Sequence, residues 1–270
     1  MKPMSKFERK FGKYAIPHLT NILIICYAVG YFLYYFANPL LDYLTLNPYA
    51  ILHGQVWRLV TWVIVPPTSS SGMFGLFGTL ITLYFYWSIG STLEQVWGTY
   101  RYNVYLLSGI LFTIVGSFVA YGCAWTFYAD KWGLNVASNA EVIFNAGSTC
   151  FSTYYITMSL FLAFAATFPN AQVLLMFFIP LKVKWLGVMY GVIILFEFFQ
   201  SSVVNFYTEA GTVVSLDFGI FVKISILFSL LNFILFFIIC LRSGTVEKDS
   251  RECLCVFPWP YGRRKRYRFT

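Results

Sequence analysis

Gly90-Ser91-Thr92-Leu93-Glu94-Gln95-Val96-Trp97-Gly98-Thr99-Tyr100-Arg101-Tyr102 is a polar corner set between two long apolar runs, at about 73–92 and 102–122. A helix needs about 20 mostly apolar residues to cross the hydrocarbon core of a bilayer, and each run has that length. Gly98 offers the permissive backbone that a tight turn needs, and Glu94 and Arg101 are placed to pair across it. The stretch therefore reads as two membrane crossings joined by a short corner.

Working outward, further apolar runs lie at about 17–37, 150–168, 184–205 and 221–241, which makes six expected spans. The composition agrees: 59% of the 270 residues are hydrophobic and only 11% charged, with mean hydropathy +0.67. A soluble domain of this size needs more charge to cover its surface. The 21% aromatic share suits a chain whose Tyr and Trp side chains sit at the membrane–water boundary. The stretch 38–72, holding Asn38-Pro39, Asn47-Pro48, Pro66-Pro67 and the run Thr68-Ser69-Ser70-Ser71-Gly72, reads as a semi-polar connection. Between the fourth and fifth runs, Phe168-Pro169-Asn170-Ala171 leads into a short apolar segment ending Ile179-Pro180-Leu181-Lys182-Val183-Lys184. About ten residues cannot span as a helix, so this segment is expected to be a hairpin at the membrane surface. The expected division is a transmembrane domain at 1–242 and a basic tail at 243–270. The N-terminus shows no cleavage pattern and is read as retained.

The net charge of +8 is gathered at the ends and in short connections, which points to membrane topology and not to nucleic acid. With six spans, one side carries Lys2, Lys6, Arg9, Lys10, Lys13, Arg101, Lys182, Lys184, Arg242, Lys248, Arg251 and the closing run Arg263-Arg264-Lys265-Arg266-Tyr267-Arg268. The other side carries only Arg58, Lys131 and Lys223. That asymmetry places both termini in the cytoplasm.

Within the first outward connection, Trp57 and Trp62 are expected to anchor the loop at the lipid headgroups, with Arg58 snorkelling or capping backbone carbonyls. Together with the corner, this segment resembles the rhomboid superfamily of intramembrane serine proteases and their inactive relatives, such as derlins and iRhoms. The Trp-Arg pair matches at Trp57-Arg58, and the Gly-x-x-x-Glu-x-x-x-Gly-x-x-Arg corner at Gly90, Glu94, Gly98 and Arg101. The Phe-Pro-Asn and Pro-Leu-Lys-Val-Lys-Trp hairpin also resembles the stretch between rhomboid helices four and five. The likeness covers about 15–242 and implies a bundle of six transmembrane helices.

A rhomboid protease uses a Ser in Gly-x-Ser-Gly at the start of helix four and a His on helix six, because a serine hydroxyl needs a base within reach. The chain has two histidines, His18 and His53, neither on the sixth run. The resemblance puts the nucleophile position at Tyr154 and the histidine position at about Val222, while the oxyanion residues of helix two fall at Gly78 and Thr82. The resemblance thus implies an inactive member, a pseudoprotease that is not an enzyme. It would be a binder or escort for transmembrane segments of other membrane proteins, with Tyr154, Tyr155 and Glu197 near the former active cleft.

Two other readings stay open. Ser152 or Thr153 with Lys223 would make a non-standard Ser–Lys protease, although Ser152 stands about 200° around a helix from the expected position. Glu197, the acid inside the fifth run, would serve a small transporter or channel, although no internal repeat supports that reading. Ser225, Ser229 and Asn232 read as a helix-packing stripe. Cys123 and Cys150 bracket the long outer connection and are either free thiols or a disulfide. Cys253-x-Cys255 supplies too few ligands for a metal, and no cofactor is expected. The expected partners are the bilayer, client transmembrane segments, and anionic lipid at the basic tail. The expected location is a bacterial plasma membrane.

Overall fold

The computed structural model of the chain describes residues 10, 12–67, 73–132, 136–175, 179–200, 203–207 and 213–242. The tail at 243–270, with its basic run and Cys253-x-Cys255, lies outside the described residues, as does the run Thr68–Gly72.

After a single 3₁₀ turn at Gly12–Tyr14, the chain forms α1 (Leu19–Phe36). Three short helices follow, α2 (Asn38–Asp42), α3 (Pro48–Leu52) and α4 (Arg58–Thr61), then α5 (Met73–Trp97) and α6 (Thr99–Trp132). Next come α7 (Val136–Ser148) and α8 (Tyr154–Thr167), the strands β1 (Gln172–Leu175) and β2 (Ile179–Lys182), and α9 (Val183–Phe199). The strands β3 (Val203–Tyr207) and β4 (Val213–Asp217) precede α10 (Gly219–Arg242).

All six expected apolar runs are helical, with altered lengths. Among the described residues, four segments are long and apolar enough to cross a membrane: Gly12–Phe36, Gly75–Trp97, Thr99–Thr126 and Gly219–Ile238. α8, with 14 residues, and α9, with 17, are shorter. At 1.5 Å per residue they measure about 21 and 25 Å, against a hydrocarbon core of about 30 Å. α6 is longer than expected, at 34 residues. Near its end Tyr121 and Trp125 pack on Phe144 of α7, with ring centroids 4.6 and 6.2 Å away, and α7 lies within the connection between α6 and α8.

The expected all-α bundle is amended by two antiparallel hairpins, β1–β2 and β3–β4. The first stands where the surface hairpin was expected. The second takes residues assigned by the sequence to the end of the fifth span, which stops at Phe199.

The corner at 90–102 ties three helices together. Gly98 has φ +85°, the left-handed backbone that ends α5, and its N–H donates to the Glu94 carbonyl at 3.0 Å. The Glu94 carboxylate reaches back to the start of α1. Its Oε1 accepts from the His18 N–H at 2.8 Å and its Oε2 from the Thr20 hydroxyl at 3.1 Å. An acid there satisfies an orphan amide and faces the positive end of the helix dipole. Thr20 also pairs with the buried Tyr102 hydroxyl at 2.9 Å. Gly90 lets α1 approach, since a Cβ there would stand 2.6 Å from the Thr20 methyl.

The main core runs between these helices. Trp97 packs on Tyr105 and Phe236, with ring centroids 5.6 and 4.8 Å apart, joining the end of α5 to α6 and α10. α6 and α10 form the most extensive helix pair. Asn232 bridges them: its Oδ1 accepts from the Ser108 hydroxyl at 2.7 Å and its Nδ2 donates to the Tyr105 carbonyl at 3.3 Å. The Tyr105 hydroxyl in turn meets Ser159 of α8 at 3.0 Å.

Candidate functional site

α8 is the innermost helix, and most of its residues from Ile156 to Ala165 are buried. Its start is fixed locally. The Ser152 hydroxyl accepts from the Tyr154 N–H at 3.3 Å, and the buried Thr153 hydroxyl donates to the Val65 carbonyl at 3.3 Å. Both hydroxyls proposed for a relocated nucleophile are thus engaged in local structure, and Lys223 is half-buried near the start of α10.

The first turn of α8 then presents Tyr154 and Tyr155, whose rings meet edge-on at 5.1 Å. The Tyr154 hydroxyl donates to Glu197 Oε1 of α9 at 3.1 Å. Glu197 Oε2 is covered by protein and has no hydrogen-bond partner among the described residues. Ser229 of α10 donates to the Tyr155 carbonyl at 2.7 Å, so the same turn is pinned from the other side. Ser229 and Asn232 therefore hold α10 by hydrogen bonds as well as by close packing.

Beneath the pair is a small apolar cluster of Met158, Ile194 and Ile226, one residue each from α8, α9 and α10. Tyr154, Tyr155 and Val222 all pack against it. The sequence-expected residues Tyr154, Tyr155, Glu197 and Val222 are thus gathered at one junction of α8, α9 and α10. Tyr190 and Phe198 join them and were missed by the sequence reading. Tyr190 had a signal, since it precedes Glu197 by two helical turns and shares its face. Gly78 and Thr82 lie elsewhere, on α5, which packs on α8 but contributes nothing to that apolar cluster. Gly78 is exposed with open space where a Cβ would stand, and Thr82 is half-buried.

The Trp57-Arg58 motif builds a second polar centre. Arg58 is 4% exposed. Its Nη1 donates to the Asp42 carbonyl at 2.7 Å and to the carbonyl and hydroxyl of Thr45, both at 3.1 Å. Its Nε donates to Gln55 Oε1 at 2.7 Å, and Ser148 links Thr45 to the end of α7 at 3.1 Å. Of the two expected roles, Arg58 takes carbonyl capping, not snorkelling. Burial pushes its pKa below the usual guanidinium value, and the nearby Asp42 opposes that shift. Trp57 is exposed, and its indole N–H reaches the Tyr43 carbonyl at 3.4 Å. Trp62 corrects the expectation: it is 0% exposed and part of the core.

Cys123 and Cys150 are both free thiols. Cys123 is exposed on α6, whose neighbouring Ala120 and Ala124 face the interior instead. Cys150 is half-buried, between the end of α7 and the start of α8. Among the described residues, no group of three or more His, Cys, Asp or Glu side chains gathers as a metal site would require.

Comparison with curated proteins and with solved structures finds no match to the chain. A protein-family model, described as eukaryotic integral membrane protein, matches residues 21–222. The match runs from α1 into α10, so it takes in the corner, the Arg58 centre and the Tyr154–Glu197 junction. The eukaryotic description gives no support to a bacterial plasma membrane as the location. An integral, multi-pass helical membrane protein, the chain belongs to the DUF1751 family of eukaryotic integral membrane proteins.

Proposed function

We propose that the chain is a rhomboid-like pseudoprotease, a non-catalytic bundle that binds transmembrane segments of other membrane proteins. Its six crossings are α1, α5, α6, α8, α9 and α10, with both termini in the cytoplasm. The distribution of Lys and Arg supports that orientation.

The observation that carries the reading is the Tyr154–Glu197 hydrogen bond. The rhomboid resemblance puts a nucleophile at position 154, and here a phenol stands there with its hydroxyl directed to a carboxylate. The position for the histidine base is Val222, an aliphatic side chain packed on the same apolar cluster. A nucleophile without a base in reach has no means of losing its proton as it attacks. The space shaped for chemistry on a transmembrane segment is left as a surface for holding one.

The entry would lie between α5 and α9. Both pack on α8, and neither packs extensively on the other. Their outward faces carry exposed apolar residues, Leu80 and Ile81 on α5 and Val192 and Phe196 on α9. A client helix reaching this gap from lipid would meet Tyr154, Tyr155 and Glu197 as polar contacts. In an apolar medium such contacts orient a partner, each contributing about 0.6–2 kcal/mol.

The test of the non-catalytic half is labelling of the purified protein with a fluorophosphonate probe, beside an active rhomboid protease as control. The expected result is no labelling of this chain. Labelling that disappears in Ser152→Ala or Lys223→Ala would overturn the reading and identify a relocated nucleophile.

A further inference from the structure

The stretch from Pro48 to Val65 forms only short helices, yet one of its sides is as apolar as the outside of a membrane span. Leu52, Val56, Trp57 and Val60 are each more than half exposed, Val60 at 75%. The other side is turned to the protein, with Ile51, Arg58 and Trp62 buried. Arg58 is the one charged residue of the stretch, so the exposed side carries no charge. The buried side is fastened to the bundle. Tyr49 of α3 stacks on Phe144 of α7 with ring centroids 6.0 Å apart, and Trp62 belongs to the main core.

Two contacts at the far end of the stretch fix its depth. α1 has 18 residues and rises about 27 Å from its start beside Glu94. Gly30 lies six residues before the end of α1, and a Cβ on Gly30 would overlap the Ile64 carbonyl. At about 1.5 Å per residue, Ile64 therefore stands about 9 Å short of the end of α1. The second contact is the bond from the Thr153 hydroxyl to the Val65 carbonyl. Thr153 precedes α8, which runs from here toward the corner side, where Ser159 meets Tyr105. The 14 residues of α8 measure about 21 Å, about 9 Å less than a hydrocarbon core of about 30 Å. Two different helices thus put Ile64 and Val65 at the same depth, inside the leaflet away from the Glu94 corner.

The main-chain bonding suits a dry setting. Lipid offers no water to carbonyl oxygens, so irregular backbone at membrane depth needs partners from the protein. Side chains supply them here. Arg58 Nη1 donates to the Asp42 and Thr45 carbonyls, the Trp57 indole to that of Tyr43, and the Thr61 hydroxyl to that of Trp57 at 3.0 Å. We propose that the chain from Pro48 to Val65 is a wedge sunk in that leaflet, with Val56 and Val60 against acyl chains. It fills the depth that the short α8 does not reach. The occupant of the exposed side is lipid, because that side is uncharged and its far end is held below the end of a spanning helix. The placement does not depend on what the α8–α9 junction binds.

The test places an environment-sensitive fluorescent amino acid singly at Val56, Val60, Asn38 or Leu111 in the full-length chain, reconstituted in phosphatidylcholine vesicles. Asn38 is exposed just past the end of α1, and Leu111 is exposed in the middle of α6. Each variant is first checked for an unfolding midpoint close to that of the unsubstituted protein. Doxyl-labelled lipid is expected to quench positions 56 and 60 about as strongly as 111 and several-fold more strongly than 38. Iodide on both sides of the membrane is expected to give the reverse order. Iodide quenching at 56 and 60 equal to that at 38 would place the stretch in water and overturn the proposal. Shielding of 56 and 60 from both quenchers would place protein on that side and overturn it equally.

Discussion

Arg58 does its work through hydrogen bonds to main-chain oxygen. One terminal nitrogen serves three acceptors at Asp42 and Thr45, of which the Asp42 carbonyl also accepts from the Thr45 hydroxyl, and that hydroxyl from Ser148. Removing the guanidinium leaves the buried Thr45 carbonyl without that donor, at a cost of about 1–3 kcal/mol. Arg58→Ala should lower the unfolding midpoint in detergent by that amount. Arg58→Lys should recover little of it, because an ammonium lacks the planar fork that serves Gln55 and the carbonyls together; full recovery by Lys would contradict the geometry. Tyr154 and Glu197 form a pair of a different kind, with one carboxylate oxygen bonded and one left over. In a double-mutant cycle of Tyr154→Phe and Glu197→Gln, the coupling should be about 0.5–2 kcal/mol, and additive single effects would show the bond to be idle. The sequence made Tyr154, Tyr155 and Glu197 candidates because an acid within an apolar run stands out, and because the rhomboid likeness pointed to position 154. Trp62 was misplaced since a Trp near a membrane boundary looks the same in sequence whether it faces lipid or the interior. The partners of Glu94 were not legible either: His18 and Thr20 are more than seventy residues away in the chain.

Among the elements, the long helices were legible and the short pieces were not. A run of about 20 apolar residues has few alternatives to a membrane helix, so α1, α5, α6 and α10 follow from composition. α7 was missed because Ser138, Asn139, Glu141 and Asn145 interrupt any apolar run at 136–148. β3 was hidden because Val203-Val204-Asn205-Phe206-Tyr207 continues the apolar character of α9, and hydropathy alone does not separate a short strand from the end of a span. Glycines at helix contacts give the sharpest element-scale predictions. A Cβ on Gly30 would overlap the main-chain carbonyl of Ile64, which has no flexible end to move aside. Gly98 has open space around it but needs φ +85°, and Ala there costs about 1–2 kcal/mol. Gly30→Ala should therefore destabilise more than Gly98→Ala in the same thermal assay, and the reverse order would count against the α1 packing. Asn232→Leu should cost about 1 kcal/mol through the lost α6–α10 bonds, read by unfolding in micelles.

At the scale of the whole molecule, the described residues hold four helices long and apolar enough to cross a membrane, and the shorter α8 and α9 pack among them. An even number of crossings requires both ends on one side. Tags at the N- and C-termini should be digested together by protease added to the cytoplasmic face of sealed vesicles. Protection of one tag alone would require an odd number. The central claim is that the α8–α9 junction receives a transmembrane segment. Its most direct test is photocrosslinking in native membranes from a reactive amino acid placed at Tyr154 or Tyr155, with the exposed Leu111 position of α6 as control. The account predicts discrete adducts with membrane proteins from 154 and 155, mapped to their transmembrane segments and absent from position 111. Adducts only with lipid, or the same adducts from all three positions, would contradict it.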